Sequence, residues 1–92
     1  MILWMSGFCY VYMLSDAATH THHYVGSTQD LQGRLAKHNA GSVPHTSKFK
    51  PWVIDAVIAI KDKDVALKLE RYLKTGSGRA FATKHFFGVH KS

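Results

Sequence analysis

The stretch from Tyr24 to His38 carries side chains that can handle a phosphate group. A short apolar run holds Tyr24 and Gly26, and Arg34 and His38 follow it. A phenol, a guanidinium and an imidazole can together bind a phosphodiester and move protons around it. We expect Gly26, two residues after the phenol, to leave bare backbone where a ligand can approach closely. The residue types therefore predict a phosphate-handling pocket.

Sequence spacing places Arg34 and His38 on one face of a helix. They are four residues apart, and residues at that spacing lie within about 6 Å of each other on a helix surface. Leu31 and Leu35 give the same segment an apolar stripe. A simpler interpretation stays open, in which Arg34 pairs with Asp30 on a solvated face and His38 is an ordinary surface histidine.

Glu70 is the last acidic residue of the chain and lies in a basic segment. Mg²⁺ is often held by one or two carboxylates while waters and substrate phosphates complete its coordination. Glu70 is therefore a candidate metal ligand. The alternative is an ion pair with Lys74, one helical turn later, worth only about 0.2–0.5 kcal/mol. The surrounding cations are Lys68, Arg71, Lys74, Arg79, Lys84 and Lys91.

Three apolar runs predict three β-strands that would position these residues. The first is an aromatic-rich run over residues 8–14, the second begins at Tyr24, and the third covers residues 52–60. The polar loop between the first two predicts a hairpin. Alternation along the first strand assigns Tyr10, Tyr12 and Leu14 to one face and Val11 and Met13 to the other.

The first helix is expected to begin after Thr28 or Asp30, either of which can cap it, and to stop at Gly41. A polar, basic loop follows over residues 42–51. Its Lys48 and Lys50 either contact a nucleic-acid backbone or belong to an ordinary solvated loop.

Two further helices complete the predicted domain. The second begins after Asp62 and ends at Gly76, and Ser77 and Gly78 form a turn before a short third helix over residues 79–87. The side chains expected to cover the core are Val65, Ala66, Leu69, Tyr72 and Leu73 in the second helix and Phe81 and Phe86 in the third.

Composition limits the classes of protein that fit. The 92 residues suffice for one small domain, and 12 Lys and Arg against 6 Asp and Glu give a net charge of +6, which favours a polyanionic partner such as nucleic acid. The single Cys9 excludes a disulfide framework. Residues 1–4 lack the features of a signal peptide, and no apolar run is long enough to span a bilayer, so we expect a cytoplasmic protein without membrane contact. A transition-metal site at His20, His22 and His23 is a minor alternative.

The chain resembles the GIY-YIG nuclease domain, and most closely its small stand-alone bacterial members. The resemblance runs from Tyr10 to Phe86. It rests on Tyr10-Val11-Tyr12, on Tyr24-Val25-Gly26, on Arg34 and His38, and on the string Glu70-Arg-Tyr-Leu-Lys-Thr-Gly-Ser-Gly-Arg-Ala-Phe81. His38-Asn39 followed by Gly41, and later Pro51-Trp52, match as well.

The resemblance implies an α+β domain with a three-stranded, mainly antiparallel sheet packed with three helices. It also implies hydrolysis of phosphodiester bonds with a divalent metal, Mg²⁺ or Mn²⁺, and we expect DNA as the substrate class in preference to RNA. Carried over by motif, the catalytic residues are Tyr12, Tyr24, Arg34, His38 and Glu70, with Glu70 as the metal ligand. The residues expected to grip the nucleic-acid backbone are Lys48, Lys50, Lys74, Arg79 and Lys84.

One departure from the family keeps alternatives open. Many members carry an asparagine in the C-terminal region, whereas this chain has none after Asn39. The same fold could therefore bind nucleic acid without cutting it, or serve as a protein-interaction domain. Because no appended recognition domain is seen, we expect structure- or single-strand-directed cleavage with little sequence specificity, or a protein partner that supplies specificity.

Overall fold

The computed structural model describes residues 7–87, so the predictions that involve residues 1–4 and Lys91 lie outside the described part. The predicted α+β architecture is confirmed: a three-stranded antiparallel sheet packs with three helices. No helix within residues 7–87 combines the length and the apolar character needed to cross a membrane. The elements in chain order are β1 (Cys9–Asp16), β2 (His23–Thr28), α1 (Leu31–Asn39), a 3₁₀ turn (Ser47–Phe49), β3 (Trp52–Ile60), α2 (Lys63–Leu73) and α3 (Gly76–His85).

The central strand β1 is buried along its whole length because both faces of the sheet are covered. The strand order is β2-β1-β3, which leaves β2 and β3 at the two edges. The predicted alternation is confirmed. Tyr10, Tyr12 and Leu14 pack with Leu31 of α1 and with Trp52, and Val11 and Met13 pack with Ala66 and Leu73 of α2 and Ala82 of α3.

Helix α1 is fixed at both ends by local chemistry. Of the two predicted caps it is Asp30 that accepts a hydrogen bond from the backbone N–H of Gly33. A Cβ at Gly33 would overlap the Asp30 carboxylate, so this glycine makes room for the cap. At the other end Gly41 has a φ of +80°. Its N–H donates to the His38 carbonyl, as in the predicted glycine-terminated helix.

The junction of α2 and α3 differs from the prediction. Helix α2 ends at Leu73, and Gly76 starts α3 instead of ending α2. The cause is Thr75, whose hydroxyl donates to the Tyr72 carbonyl and accepts from the N–H of Gly78, so it joins the two helices directly. The residues predicted as a turn are therefore the first turn of α3.

Part of the predicted core is also wrong. Ala66 and Leu73 are buried, and Leu69 packs against the core. Val65 and Tyr72, however, are exposed, because α2 turns a narrower stripe to the sheet than five residues would form. Phe81 in α3 is 44% exposed, which contradicts the prediction. Phe86 packs against the core as predicted, and Phe87, which is only 8% exposed, joins it there.

Candidate active site

The five side chains predicted to be catalytic meet along the edge strand β2. Tyr12 comes from β1, Tyr24 from β2, Arg34 and His38 from α1, and Glu70 from α2. Tyr24 shares the α1 side of the sheet with Tyr12. Glu70 comes from the helix that packs on the other side and reaches the strand edge through Ser27. Because β2 is an edge strand, side chains from both faces can come together there.

The three rings at the site are in contact with one another. The ring centroid of Tyr24 lies 4.8 Å from that of His38 and 6.2 Å from that of Tyr12. The Tyr12 and His38 centroids are 5.8 Å apart in an edge-to-face arrangement. The two tyrosines of the sequence motifs are therefore neighbours, with His38 packed against both.

A chain of hydrogen bonds fixes the orientation of the His38 ring. The hydroxyl of Thr46 lies 2.8 Å from His38 Nδ1 and donates its only hydrogen to the Val43 carbonyl at 3.3 Å. Its oxygen is thus left to accept from Nδ1–H. His38 Nε2 then accepts the hydrogen bond from Tyr12 Oη at 3.0 Å. This network assigns the Nδ1-protonated tautomer to His38.

The electrostatic surroundings agree with this assignment. Burial lowers the pKa of His38, and the positive charge of Arg34 lowers it further, so the ring is neutral at pH 7. Burial raises the pKa of Tyr12 to about 12, although the nearby Arg34 guanidinium acts in the opposite direction. Tyr12 therefore keeps its proton and acts as a donor, which excludes it as a general base near neutral pH.

The cationic and anionic groups lie next to this network. Arg34 Nη1 donates to the Ser27 carbonyl at 3.4 Å. The Ser27 hydroxyl donates to Glu70 Oε1 at 2.5 Å, and Lys74 Nζ donates to Glu70 Oε2 at 2.9 Å. Lys74 Nζ also lies 5.5 Å from the centre of the Tyr24 ring. Ser27 thus contacts both the Arg34 guanidinium and the Glu70 carboxylate. Lys74 contacts both that carboxylate and the Tyr24 ring.

Glu70 keeps its negative charge at this position. Burial alone would raise its pKa, but the hydrogen bonds from Ser27 and Lys74 and the charges of Lys74 and Arg34 outweigh it and lower the pKa. The side chain is 19% exposed, so the carboxylate is accessible from solvent.

The donor set fits a hard divalent cation that is anchored at one point. A carboxylate has about four lone-pair positions, and Ser27 and Lys74 use one on each oxygen of Glu70. Mg²⁺ accepts a single protein carboxylate because waters and phosphates supply its other ligands. Within residues 7–87 no group of three His, Cys, Asp or Glu side chains could hold a metal, so the alternative site at His20, His22 and His23 is not formed.

Gly26 has a different role from the one predicted. A Cβ at this position would overlap the Tyr12 hydroxyl and lie 3.0 Å from the Tyr24 ring. The bare backbone is therefore covered by the Tyr12 phenol and is not open to a ligand. Gly26 still serves the site, since it lets the two tyrosines approach each other across neighbouring strands.

The five predicted nucleic-acid contacts do not form one cluster. Lys74 lies at the centre of the site through its contacts with Glu70 and Tyr24, and Arg79 lines an adjoining cleft. Lys84 is exposed on α3 but is not part of the lining of that cleft. Lys48 and Lys50 are exposed in the loop between α1 and β3, where Lys50 Nζ lies beside Gly41.

Sequence reasoning missed two residues that hold the site together. Ser27 lies three residues after Tyr24, so strand alternation turns it toward α2, and this signal could have been used. Thr46 had no such signal, because it belongs to an irregular loop. It is placed there by a hydrogen bond from Trp52 Nε1 to its carbonyl, while Asn39 exchanges two hydrogen bonds with the Trp52 backbone.

The chain belongs to the GIY-YIG family. Residues 8–84 match the model of the GIY-YIG catalytic domain, which covers β1 through nearly all of α3. Domains of this family are generally endonucleases that act on nucleic acid and generally use divalent metals. No curated protein and no solved structure gives a significant match to the chain.

Proposed function

We propose that this protein is a Mg²⁺- or Mn²⁺-dependent endonuclease that hydrolyses phosphodiester bonds in DNA. We infer that it acts on single-stranded or structured DNA with little sequence specificity. One observation supports this most: Tyr24, Arg34 and Glu70, far apart in sequence, meet around one edge of β2. Phosphodiester cleavage needs an activated water, charge neutralisation and a stabilised leaving group, and these side chains can serve those needs.

In the proposed mechanism Arg34 binds a non-bridging phosphate oxygen through its planar fork, a geometry that lysine lacks. Tyr24 orients and deprotonates the attacking water. A phenol is a poor base at neutral pH, so Tyr24 can take the water proton only as its own hydroxyl proton leaves. The acceptor would be Nε2 of the neutral His38, whose ring packs against Tyr24, and Tyr12 Oη must release that nitrogen for the transfer. Tyr12 holds the His38 ring in place.

A divalent ion held by Glu70 would neutralise charge on the phosphate and on the leaving oxygen. To bind it, the carboxylate must keep its charge and give up or share the ion pair with Lys74. Lys74 would then be released toward the substrate phosphates, as the i,i+4 pair is partly exposed and contributes little to stability.

The wider surface would supply a salt-sensitive grip on the DNA backbone. Lys74 and Arg79 lie at or beside the site, and Lys48, Lys50 and Lys84 would contact phosphates farther away. The single buried Cys9 has no disulfide and fits a reducing compartment, so we place the protein in the cytoplasm. A protein partner could add specificity to this small domain.

One observation favours a second candidate, a GIY-YIG module that binds DNA without cutting it. In the described residues Lys74 occupies Glu70 Oε2 at 2.9 Å, and the sequence has no asparagine after Asn39 to assist there. If the positive charge of Lys74 beside Glu70 keeps a divalent cation away, metal binding fails while the basic surface still holds DNA.

Labelled single-stranded, duplex and branched DNA, incubated with Mg²⁺, Mn²⁺ or EDTA, would separate these functions. We expect shortened or nicked products only with the metal, and most from single-stranded or branched DNA. The control is Tyr24→Phe, which removes one oxygen atom and should lower the rate about 10²- to 10⁴-fold while DNA binding is retained. Equal cleavage by the variant would remove Tyr24 from the chemistry, and binding without products would favour the second candidate.

A further inference from the structure

A cleft of about 680 Å³ opens beside the candidate active site. Its volume falls within the range of about 300–1,000 Å³ that is typical of small-ligand sites. Tyr24 and Lys74 belong to both the cleft and the site, so the two are continuous. The proposed hydrolysis uses Tyr24 and Lys74 at the edge of this space and assigns no role to its interior. The lining residues that matter here are His23, Tyr24, Leu73, Lys74, Arg79 and Phe87.

The cleft is apolar inside and positively charged at its rim. Leu73 and Phe87 are buried members of the core that extend to the cleft wall. Lys74 and Arg79 are exposed and line the same space. No Asp or Glu among residues 7–87 lines it. An apolar interior with a cationic rim matches a flat, uncharged ring that is attached to a phosphate.

The wall of the cleft carries a preformed aromatic platform. The ring of His23 stacks on that of Phe87 with the centroids 3.9 Å apart and an interplanar angle of 1°. His23 Nε2–H donates to the His20 carbonyl at 3.1 Å, which fixes the imidazole plane. His23 is exposed, so another ring can extend this stack. Stacking on an aromatic side chain accepts any nucleobase, because every base has a π-face.

We propose that this cleft is a subsite for one unpaired nucleobase, that of a nucleotide next to the phosphate bound at Tyr24 and Arg34. This inference rests on the proposed function. The base stacks at His23, and Arg79 and Lys74 bind the phosphates on either side of it. A base within a duplex is stacked and paired and cannot enter. The subsite therefore selects single-stranded or unpaired DNA, and it does so without reading the sequence.

The test measures binding in EDTA, where no cleavage can occur. A short single-stranded oligonucleotide carries one abasic position, which is moved along the strand, and the affinity is followed by fluorescence anisotropy. We expect one position to be sensitive, with a loss of about tenfold or more, the usual effect of removing a stacked base. Mapping of the cut made with Mn²⁺ should place that position beside the cleaved bond.

Two matched pairs of variants connect this effect to the cleft. Arg79→Gln and Lys84→Gln each remove one exposed cation from α3, but only Arg79 lines the cleft. His23→Ala and His22→Ala each remove a neighbouring imidazole, and His22 stacks on Phe49 instead. We expect Arg79→Gln to weaken binding more than Lys84→Gln, and His23→Ala, unlike His22→Ala, to abolish the sensitivity to the abasic position.

The outcomes separate this inference from the proposed function. Uniform affinity along the abasic series, or equal effects within both pairs of variants, would reject the base subsite even if metal-dependent cleavage is intact. A sensitive position that depends on His23 without any cleavage would support base binding in the cleft and reject the nuclease.

Discussion

His38 is fully buried, yet both of its ring nitrogens have partners, Tyr12 on one side and Thr46 on the other. A buried imidazole with two hydrogen bonds is held in one orientation and one tautomer. Because its Nδ1 proton is committed to Thr46, its Nε2 lone pair faces Tyr12. The geometry of the whole aromatic cluster therefore depends on a buried threonine outside the set of predicted catalytic residues.

The lowered pKa of His38 makes the stability of the fold depend on pH. The unfolded chain binds a proton at the ordinary histidine pKa, near 6.5, whereas the folded protein does so only at lower pH. Stability from this group is therefore complete above the ordinary value and is lost as the pH falls below it toward the folded-state pKa. Protonation at Nε2 would also displace the Tyr12 hydrogen bond.

The substitution Thr46→Val tests the hydrogen-bond chain. Valine has the same shape but cannot accept from Nδ1–H, and an unsatisfied buried donor costs about 1–3 kcal/mol. We expect the ring to change to the Nε2-protonated tautomer, visible in the ¹⁵N shifts of the imidazole, with a stability loss of that size in urea. Thr46→Ser keeps the hydroxyl and should retain the tautomer of the parent.

An Nε2-protonated His38 in the unsubstituted protein would contradict the proposed hydrogen-bond chain. The donor and acceptor assignment would then be reversed, and Thr46 would donate to the ring. This measurement is independent of any nuclease activity.

At the scale of the elements, the site exists because β2 is an edge strand. Strand order β2-β1-β3 leaves one side of β2 unpaired in the sheet. Arg34 approaches this strand from α1 and Glu70 approaches it from α2, and both contact Ser27. If β2 lay inside the sheet, a further strand would separate the two helices at this point.

The junction of α2 and α3 determines where the side chains of α3 lie relative to the site. The backbones of α2 and α3 meet so closely at Gly78 that a Cβ there would overlap the Tyr72 carbonyl oxygen and lie 2.6 Å from Leu73 Cα. This contact fixes the direction of α3, which carries Arg79 to the cleft. Gly76, two residues earlier, has open space around its Cβ position.

These two glycines provide a paired prediction. Gly78→Ala should force the helices apart and lower the free energy of unfolding by about 1–3 kcal/mol, the usual cost of overpacking. Gly76→Ala should be neutral or raise it by up to about 1 kcal/mol, because alanine restricts the unfolded chain. Urea midpoints of the two variants give the comparison. Equal midpoints would mean that the helices do not pack at Gly78 as described.

The sequence predicts those parts of the fold that depend on interactions between residues close together in the chain. Strand alternation in β1 and the Gly41 stop of α1 are local effects, and both could be predicted from the sequence. The start of α3 could not be predicted, because Gly76 and Gly78 are typical of a turn between helices. Only the structure shows that Thr75 caps α3 and that Gly78 packs against Tyr72. The exposure of Phe81 and burial of Phe87 depend on the direction of α3, which that contact sets.

At the scale of the whole molecule, residues far apart in sequence become one site through the sheet. The residue types and their motif order predicted which five side chains would form the site. Their assembly needed the antiparallel pairing that sets Tyr12 opposite Gly26 and Leu14 opposite Tyr24. Thr46 could not be found in advance, since its position comes from a loop held by Trp52 and Asn39.

The net charge is +6, and the cationic side chains are divided unevenly between the site and the rest of the surface. Lys74 contacts both Tyr24 and Glu70, whereas Lys48 and Lys50 are exposed in the loop between α1 and β3 and Lys84 is exposed on α3. In the proposed function the exposed cations would supply general DNA affinity and the strand edge the chemistry, so a direct test must separate binding from cleavage.

Single-turnover cleavage of single-stranded DNA with Mn²⁺, measured beside DNA affinity in EDTA, makes that separation. Glu70→Gln should abolish cleavage and leave affinity within a few fold, because the metal ligand is lost while the cationic surface is retained. Asp64→Asn, which removes an exposed carboxylate from the first turn of the same helix, should cleave like the parent. A Glu70→Gln variant that cleaves at the parental rate would contradict a metal-dependent site at the edge of β2.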